Sequence, residues 1–445
     1  MASSNRAAAR QHYLGGNSRR SVLPGGLRVV TEDMPGTGSF SIGCFVGTGS
    51  RFEAPHLHGV SHFLEHVLFK GTRRRGAEEI SAAIEQVGGD LNAYTAKEHT
   101  CFYAKTLADD APIAVDVLTD MLSASLLREA DIDAERAVIL DEIAMHHDDP
   151  ADAAGELVAS RLFAGTPLER SVIGSDASIS ALSRDQINSF WRRHYRAPRI
   201  VVAAAGRVDH DRLVDQLAEF DERLAGNGDQ PRQRPARPKI DPGSVLVRSR
   251  PLEHALAVLG FPSPGVFTDG PGSAVDQRRY PLNLLSVVLG GGMSSRLFVE
   301  VRERRGLAYA IDAGESAYAD AGSFTIEWGS VPERVADVTA VVRGSLAELL
   351  ENGIGEAELA RARGQLLGQT LLAFEGPTAR MNRLGTAELS GDARRMSEIL
   401  EHYEQVTPDE LATVAEELLT VPPVLSVVGG RVNRNRLTGL VERWL

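Results

Sequence analysis

Apolar and polar positions alternate with period two over residues 39–46 and 100–106, the pattern of strands with one buried face. Residues 77–87 carry helical spacing that stops at Gly88-Gly89, and residues 112–126 carry a second helical pattern. In the second half of the chain, residues 254–261, 308–313 and 323–329 read as strands, and long helical patterns fill 331–352 and 356–374. Strands fall in runs or pairs rather than in strict βαβ alternation. That arrangement predicts an α+β fold with largely antiparallel sheets.

The pattern also repeats. Ile200-Val-Val-Ala-Ala-Ala-Gly206-Arg-Val-Asp209 is echoed by Leu425-Ser-Val-Val-Gly-Gly430-Arg-Val-Asn433, and each copy is followed by Arg-Leu, at Arg212-Leu213 and Arg436-Leu437. At the same offset upstream, Ser183-Arg-Asp185 pairs with Thr407-Pro-Asp409, each a Ser or Thr N-cap opening an amphipathic helix. Residues 226–243, rich in Pro and charge, separate the copies and read as a linker. The expected organisation is a basic tail over 1–20, a first domain over 21–225, and a second, homologous domain over 244–445, with folded sequence beginning near Ser21.

Composition narrows the function. A 445-residue chain with 43% apolar and 24% charged residues is globular and long enough for two domains. Its formal net charge of −12 argues against a general nucleic-acid binder. Cys44 and Cys101 are the only cysteines, which fits a reducing compartment, and no apolar run approaches the length of a membrane span. A soluble protein is expected, in a bacterial cytoplasm or, given the Arg-bearing and acid-free first 31 residues, a mitochondrial matrix.

The chemistry sits in His58-Gly-Val-Ser-His62-Phe-Leu-Glu65-His66-Val-Leu-Phe-Lys70. If residues 60–69 are helical, His62 and His66 are i and i+4 and present two imidazoles from one face, a spacing that chelates one cation. Glu65 borders that face without having to ligate, and is placed to take a proton from an attacking water. This His-x-x-Glu-His order is the inverted form of the zinc-protease helix. Phe63, Leu64, Val67 and Leu68 bury the helix on its other sides, so its polar groups need partners. A third ligand is required, and residues 133–146 read as a second helix holding Glu135, Glu142 and His146. Glu135 and Glu142 share a face but stand about 10.5 Å apart along the axis, so one ligates and the other supports. Spacing leaves His146 as a rival.

These residues, together with Leu23-Pro-Gly-Gly-Leu-Arg-Val-Val, Gly47-Thr-Gly-Ser-Arg51 and Leu91-Asn-Ala-Tyr-Thr95, resemble the pitrilysin-type metallopeptidases, in particular the group that includes the mitochondrial processing peptidase β subunit and its bacterial homologues. The likeness covers nearly the whole chain after the tail. It implies one Zn²⁺ per chain on His62, His66 and Glu142, Glu65 as base and Glu135 as the supporting acid. It implies paired halves, each a mainly antiparallel sheet flanked by helices. It further implies that the hairpin edge around Asn92, Ala93, Tyr94 and Glu98 accepts an extended peptide as an added strand. Where the family commonly has Pro-Leu-Gly-Arg this chain has Pro167-Leu-Glu169-Arg170, which puts the local loop geometry in question.

Residues 224 positions after His62 and Glu142 are Ser286 and Leu366, so the second copy has no metal set. It carries Arg302 and Tyr309, which match a family pair that reaches substrate and transition state from the opposite wall. The expected activity is that of a zinc metalloendopeptidase acting on peptides or unfolded segments, in a homodimer or a heterodimer with a paralogous subunit. The alternatives are a non-proteolytic core subunit of the same fold and a targeting-peptide processing subunit. Asp148, Asp149, Asp152 and Glu156 motivate the last of these, as acids that would meet basic residues near the cut.

Overall fold

The computed structural model describes residues 17–226, 238–265, 273–392 and 394–445. Eleven strands among them form two sheets. The first sheet contains β1 (Asn17–Val22), β2 (Arg28–Asp33), β3 (Ser39–Val46), β4 (Asp90–Thr95), β5 (Thr100–Leu107) and β6 (Ile200–Gly206), in the order β1-β2-β6-β3-β5-β4. The second contains β7 (Val245–Ser249), β8 (Ala255–Ser263), β9 (Ile311–Ala317), β10 (Gly322–Ser330) and β11 (Val424–Gly429), in the order β7-β11-β8-β10-β9.

The two orders are one pattern. In each sheet a single parallel pair, β2 with β6 and β7 with β11, is followed by antiparallel neighbours out to an edge strand. The repeated segments become β6 and β11, and the helices ahead of them are capped alike. Ser183 accepts from Gln186 N–H and Thr407 from Glu410 N–H, with the Gln and Glu side chains reaching back to the cap. Gly206 (φ +111°) and Gly429 (φ +156°) end these strands where a Cβ would lie 2.2 Å from the Ser39 carbonyl and 2.5 Å from the Ala255 Cα. The fold is α+β and duplicated.

The compact units do not follow a single cut at the linker. Helix Pro150–Leu162, from the first half of the sequence, packs on β8 and β11, while helix Pro377–Ser390, from the second half, packs on β2, β3 and β6. The cause is that both faces of each sheet are apolar. One face of the first sheet lies over its own half's helices through Phe40, Ile42, Cys44, Phe102 and Val202. The other presents Val30, Phe45, Cys101, Val201 and Ala203, and Met381 covers it. A Cβ at Gly385 would lie 2.2 Å from the Phe45 ring, so this helix approaches the strand only because it has glycine there.

Several boundaries differ from expectation. Strand β1 already spans Asn17–Val22, so Arg19 and Arg20 belong to it rather than to a flexible tail; Arg19 makes a two-pronged bond to Asp211 (2.7 and 2.8 Å) and Arg20 one to Glu388 (2.8 and 2.9 Å). Residues 1–16 of the tail, and 227–237 of the linker, lie outside the described residues. The strand expected over 308–313 starts at Ile311, where its pairing with β10 begins at Trp328; it follows a wide π-helical turn over Phe298–Glu303, in which Arg304 N–H reaches the Val299 carbonyl. Among the described residues no helix is long and apolar enough to cross a membrane.

Candidate metal centre

Helix Val60–Leu68 buries Val60, Phe63, Leu64, Val67 and Leu68 in the first core, which turns His62, Glu65 and His66 to the opposite side. Helix Glu129–Asp148 is anchored by Ile132, Ile139 and Ile143 and by Arg136, which lies 5.3 Å from the Phe63 ring centre and donates to the Leu182 carbonyl. Two anchored helices therefore fix the spacing of the polar groups between them.

His62 Nε2 lies 3.5 Å from Glu142 Oε1, and His66 Nε2 lies 3.5 Å from Glu142 Oε2. The three donor atoms all fall within 4.8 Å of one another. Ligands about 2.0–2.1 Å from a tetrahedral zinc stand about 3.4 Å from each other, so the two 3.5 Å gaps to Glu142 match a shared ion. Two imidazoles and one carboxylate also form a donor set that suits Zn²⁺ and leaves a fourth position open. The residues fit the metal.

The surrounding groups orient this set. Glu135, 5% exposed, accepts from His66 Nδ1 at 3.1 Å, which leaves Nε2 to face Glu142. Lys70 Nζ sits 2.6 Å from the other Glu135 oxygen and neutralises its charge. Glu65 accepts a hydrogen bond from the Thr95 hydroxyl. Burial holds the Glu65 carboxyl above its ordinary pKa and Glu142 pushes the same way, while the Thr95 bond and His66 oppose the shift.

His146, the rival ligand, turns away: its Nδ1 lies 2.9 Å from Asp152 Oδ2. Asp149 is likewise engaged, capping helix Pro150–Leu162 through the N–H groups of Ala151 and Asp152 at 2.7 and 3.0 Å. Two of the acids read as meeting a basic substrate thus have partners within the chain.

Strand β4 is the outer strand of the first sheet, so the segment holding Asn92, Ala93 and Tyr94 does lie on an edge. Asn92 Oδ1 accepts the Ala93 N–H at 2.8 Å. Tyr94 turns toward the sheet, with its ring centre 5.6 Å from that of His99 and its hydroxyl 3.3 Å from His99 Nε2. Glu98 is tied within the chain: the buried Arg51 guanidinium holds its carboxylate at 2.6 Å, because an arginine that deeply buried needs a counter-charge.

In the second unit, the Arg302 guanidinium carbon lies 4.6 Å from the Tyr309 ring centre and 4.7 Å from that of Phe298. Tyr309 is 79% exposed. The pair is thus assembled and open to solvent. The Pro167–Glu169 departure is absorbed in a single 3₁₀ turn, where Glu169 accepts the Gly165 N–H at 2.6 Å.

Sequence reasoning missed two supporting contacts. Lys70 stands i+4 from His66, and that spacing was a usable signal. Thr95 lies 30 residues from Glu65, and nothing local in the sequence links them.

Comparison with known proteins points to one family. Residues 28–176 match the model of insulinase (peptidase family M16), and residues 181–366 match that of the peptidase M16 inactive domain. A protein named an uncharacterized zinc protease from Streptomyces coelicolor is 44% identical over 421 residues, covering 93% of this chain and 90% of that one. One of the same description from Mycobacterium tuberculosis is 43% identical over 427 residues, 94% of each chain. YmxG of Bacillus subtilis, also named an uncharacterized zinc protease, is 32% identical over 412 residues, covering 92% of this chain and 98% of its own. A crystal structure titled peptidase M16 inactive domain from Pseudomonas fluorescens superposes with a TM-score of 0.84 at 20% identity, over 94% of this chain and 98% of that one. One titled a protease from Helicobacter pylori gives 0.84 at 20% identity, over 93% and 99%.

Proposed function

The chain belongs to peptidase family M16, and from that premise we propose that it is a zinc-dependent metalloendopeptidase that cuts peptides or unfolded segments bound in extended form. The observation that carries this reading is the convergence of His62, His66 and Glu142 donors within 4.8 Å, with the Glu65 carboxylate beside them and outside the ligand set.

Zinc held by these three side chains would supply a Lewis acid for the scissile carbonyl and lower the pKa of a water. The chain's own residues do the rest. Glu65 takes a proton from the attacking water and returns it to the leaving amine, two transfers by one carboxylate. Glu135 keeps His66 in the tautomer that offers Nε2, and Lys70 pairs with the other Glu135 oxygen and holds the carboxylate in place. The exposed edge of β4 supports main-chain pairing with an extended segment, a mode that tolerates many sequences.

Arg302 and Tyr309 would complete the site from a second copy of the chain, with Arg302 on a substrate carbonyl and Tyr309 donating to the developing oxyanion. Exposure of the pair supports that role. A homodimer with one zinc per chain is the simplest assembly, since one sequence encodes both parts.

The test is metal analysis combined with turnover of an unstructured peptide, for wild type and Glu65→Gln. Zinc near one equivalent in both proteins, with chelator-sensitive turnover only in the wild type, is the expected result. A zinc-loaded wild type that cuts no unstructured peptide would favour a non-proteolytic core subunit instead.

A further inference from the structure

Helix Val60–Leu68 carries the zinc ligands and the base, yet nothing within its own first turn holds its start. It has nine residues, no acid in the first turn, and glycine at its N-cap. Gly59 has φ +89°, and a Cβ there would lie 2.7 Å from the Gly174 Cα, so no residue with a side chain fits that position. A helix this short is marginal unless its orphan N–H groups are satisfied.

They are satisfied from a distance. Glu53, 4% exposed, accepts the Gly59 N–H through Oε2 and the Ser61 N–H through Oε1, both at 2.8 Å. Ser61 immediately precedes His62. The Glu53 backbone is held in turn, since Arg170 donates to its carbonyl at 2.8 Å and brings a cation beside the buried carboxylate. The short turn before it, Ser50–Phe52, is pinned to the β4–β5 connection by Ser50 N–H to Ala96 at 3.2 Å and Arg51 N–H to Lys97 at 2.8 Å. That connection follows directly on Thr95, the partner of Glu65. One frame therefore fixes both the ligand helix and the hydroxyl that orients its base.

We propose that Glu53 is a positioning residue for the metal centre: its carboxylate spans the first turn of the ligand helix and sets the rotation and axial position from which His62, Glu65 and His66 project. An α-helix advances about 1.5 Å and turns about 100° per residue, whereas a productive site tolerates errors of about 0.5 Å, so even a fractional slip at the helix start would misplace all three groups together. Two amide bonds to one rigid carboxylate oppose both movements. A bond to one amide would leave rotation free.

The proposal needs the peptidase reading only for its turnover arm. Glu53→Gln keeps the side-chain volume but offers one acceptor oxygen and turns an NH₂ group toward the second amide. Glu53→Asp keeps the charge with a shorter reach and serves should the Gln variant fold poorly. Zinc affinity is measured by competition with a chelating dye, and amide exchange of residues 60–68 is followed in the metal-free protein. Turnover of an unstructured peptide supplies kcat and KM. The expected result for either variant is zinc affinity weaker by about tenfold or more. Exchange should be faster only in that helix, and kcat should fall with KM nearly unchanged. Variants that melt at a lower temperature but bind zinc and turn over like the wild type would overturn the proposal, leaving Glu53 a contributor to stability alone. If the wild type binds zinc and cuts nothing, the peptidase reading falls, while zinc affinity and exchange still decide the role of Glu53.

Discussion

Thr95, on the edge strand where an extended segment would pair, donates its hydroxyl to Glu65 on the helix that offers His62 and His66. The strand proposed to bind substrate and the group proposed to move protons are thus directly bonded. Thr95→Val removes the hydroxyl while keeping the branched shape. The bond favours the charged carboxyl, so its loss leaves Glu65 less well oriented and more readily protonated. We expect kcat lower by about tenfold with zinc content unchanged, against the loss of more than about 10²-fold expected for Glu65→Gln. Steady-state kinetics on one unstructured peptide compares the two.

Glu142 and His146 lie one turn apart on the same helix, and only Glu142 faces the imidazoles. Glu142→Gln should weaken zinc binding by orders of magnitude, because a neutral amide is a poor substitute for an anionic ligand. His146→Ala should leave zinc content at the wild-type level. Metal analysis after dialysis against a weak chelator separates these outcomes. Zinc loss from the His146 variant would contradict the arrangement seen here.

The strands β3 and β5, the i/i+4 imidazoles and the repeat of β6 in β11 are local patterns, and the structure shows each of them, but β3 is buried on both faces rather than the one its alternation predicts, because a helix from the other half of the sequence covers its second face. Legibility stopped where a contact joined distant segments for which no period exists. Helix Pro377–Ser390 carries ordinary amphipathic spacing, and nothing in it says that it covers β3 rather than its own half's sheet; the glycines at 43 and 385, which permit the contact, are readable only once the two segments face each other. The choice between Glu142 and His146 is of the same kind, since both lie a turn apart on one helix and the Asp152 bond that removes His146 is set by the next helix. Glu98 reads in the sequence as part of the hairpin edge, and nothing local shows its partner Arg51, 47 residues away.

His194 provides a test of stability independent of the metal. It is buried, stacks on Phe190 with ring centres 4.3 Å apart, and accepts a bond from Arg199 at 2.8 Å. Burial, with the Arg199 and Arg193 charges, lowers its pKa from 6.5 to about 4. In the unfolded chain the ring binds a proton near its ordinary value, so between these two pH values the unfolded state holds more protons than the folded one. Its contribution is therefore fully present above pH 6.5 and is lost as pH falls toward 4, by about 2 kcal/mol or somewhat more over that window. Urea unfolding of wild type and His194→Asn across this range measures it. The asparagine variant, which keeps an acceptor for Arg199 and cannot be protonated, should show a correspondingly shallower loss on acidification. Parallel curves would assign the acid sensitivity to other groups.

Arg302 and Tyr309 allow the proposed assembly to be tested without a structure of the complex. If each site draws Glu65 from one chain and Tyr309 from another, Glu65→Gln and Tyr309→Phe damage different halves of the same site. Each variant alone should be impaired, Tyr309→Phe by about 10²-fold if its hydroxyl serves the oxyanion. Mixed under conditions that exchange subunits, they form heterodimers in which one site pairs two damaged parts and the other pairs an intact Glu65 with an intact Tyr309. Random exchange makes about half of all dimers mixed, each with one sound site of two, so the mixture should recover about a quarter of wild-type turnover. A site contained within one chain gives no recovery at any ratio, because every chain in the mixture carries one of the two lesions. Turnover measured against mixing ratio, with a maximum at equal amounts, is the expected curve; a flat line would return Arg302 and Tyr309 to the same chain as the metal they serve, or to no role in the reaction.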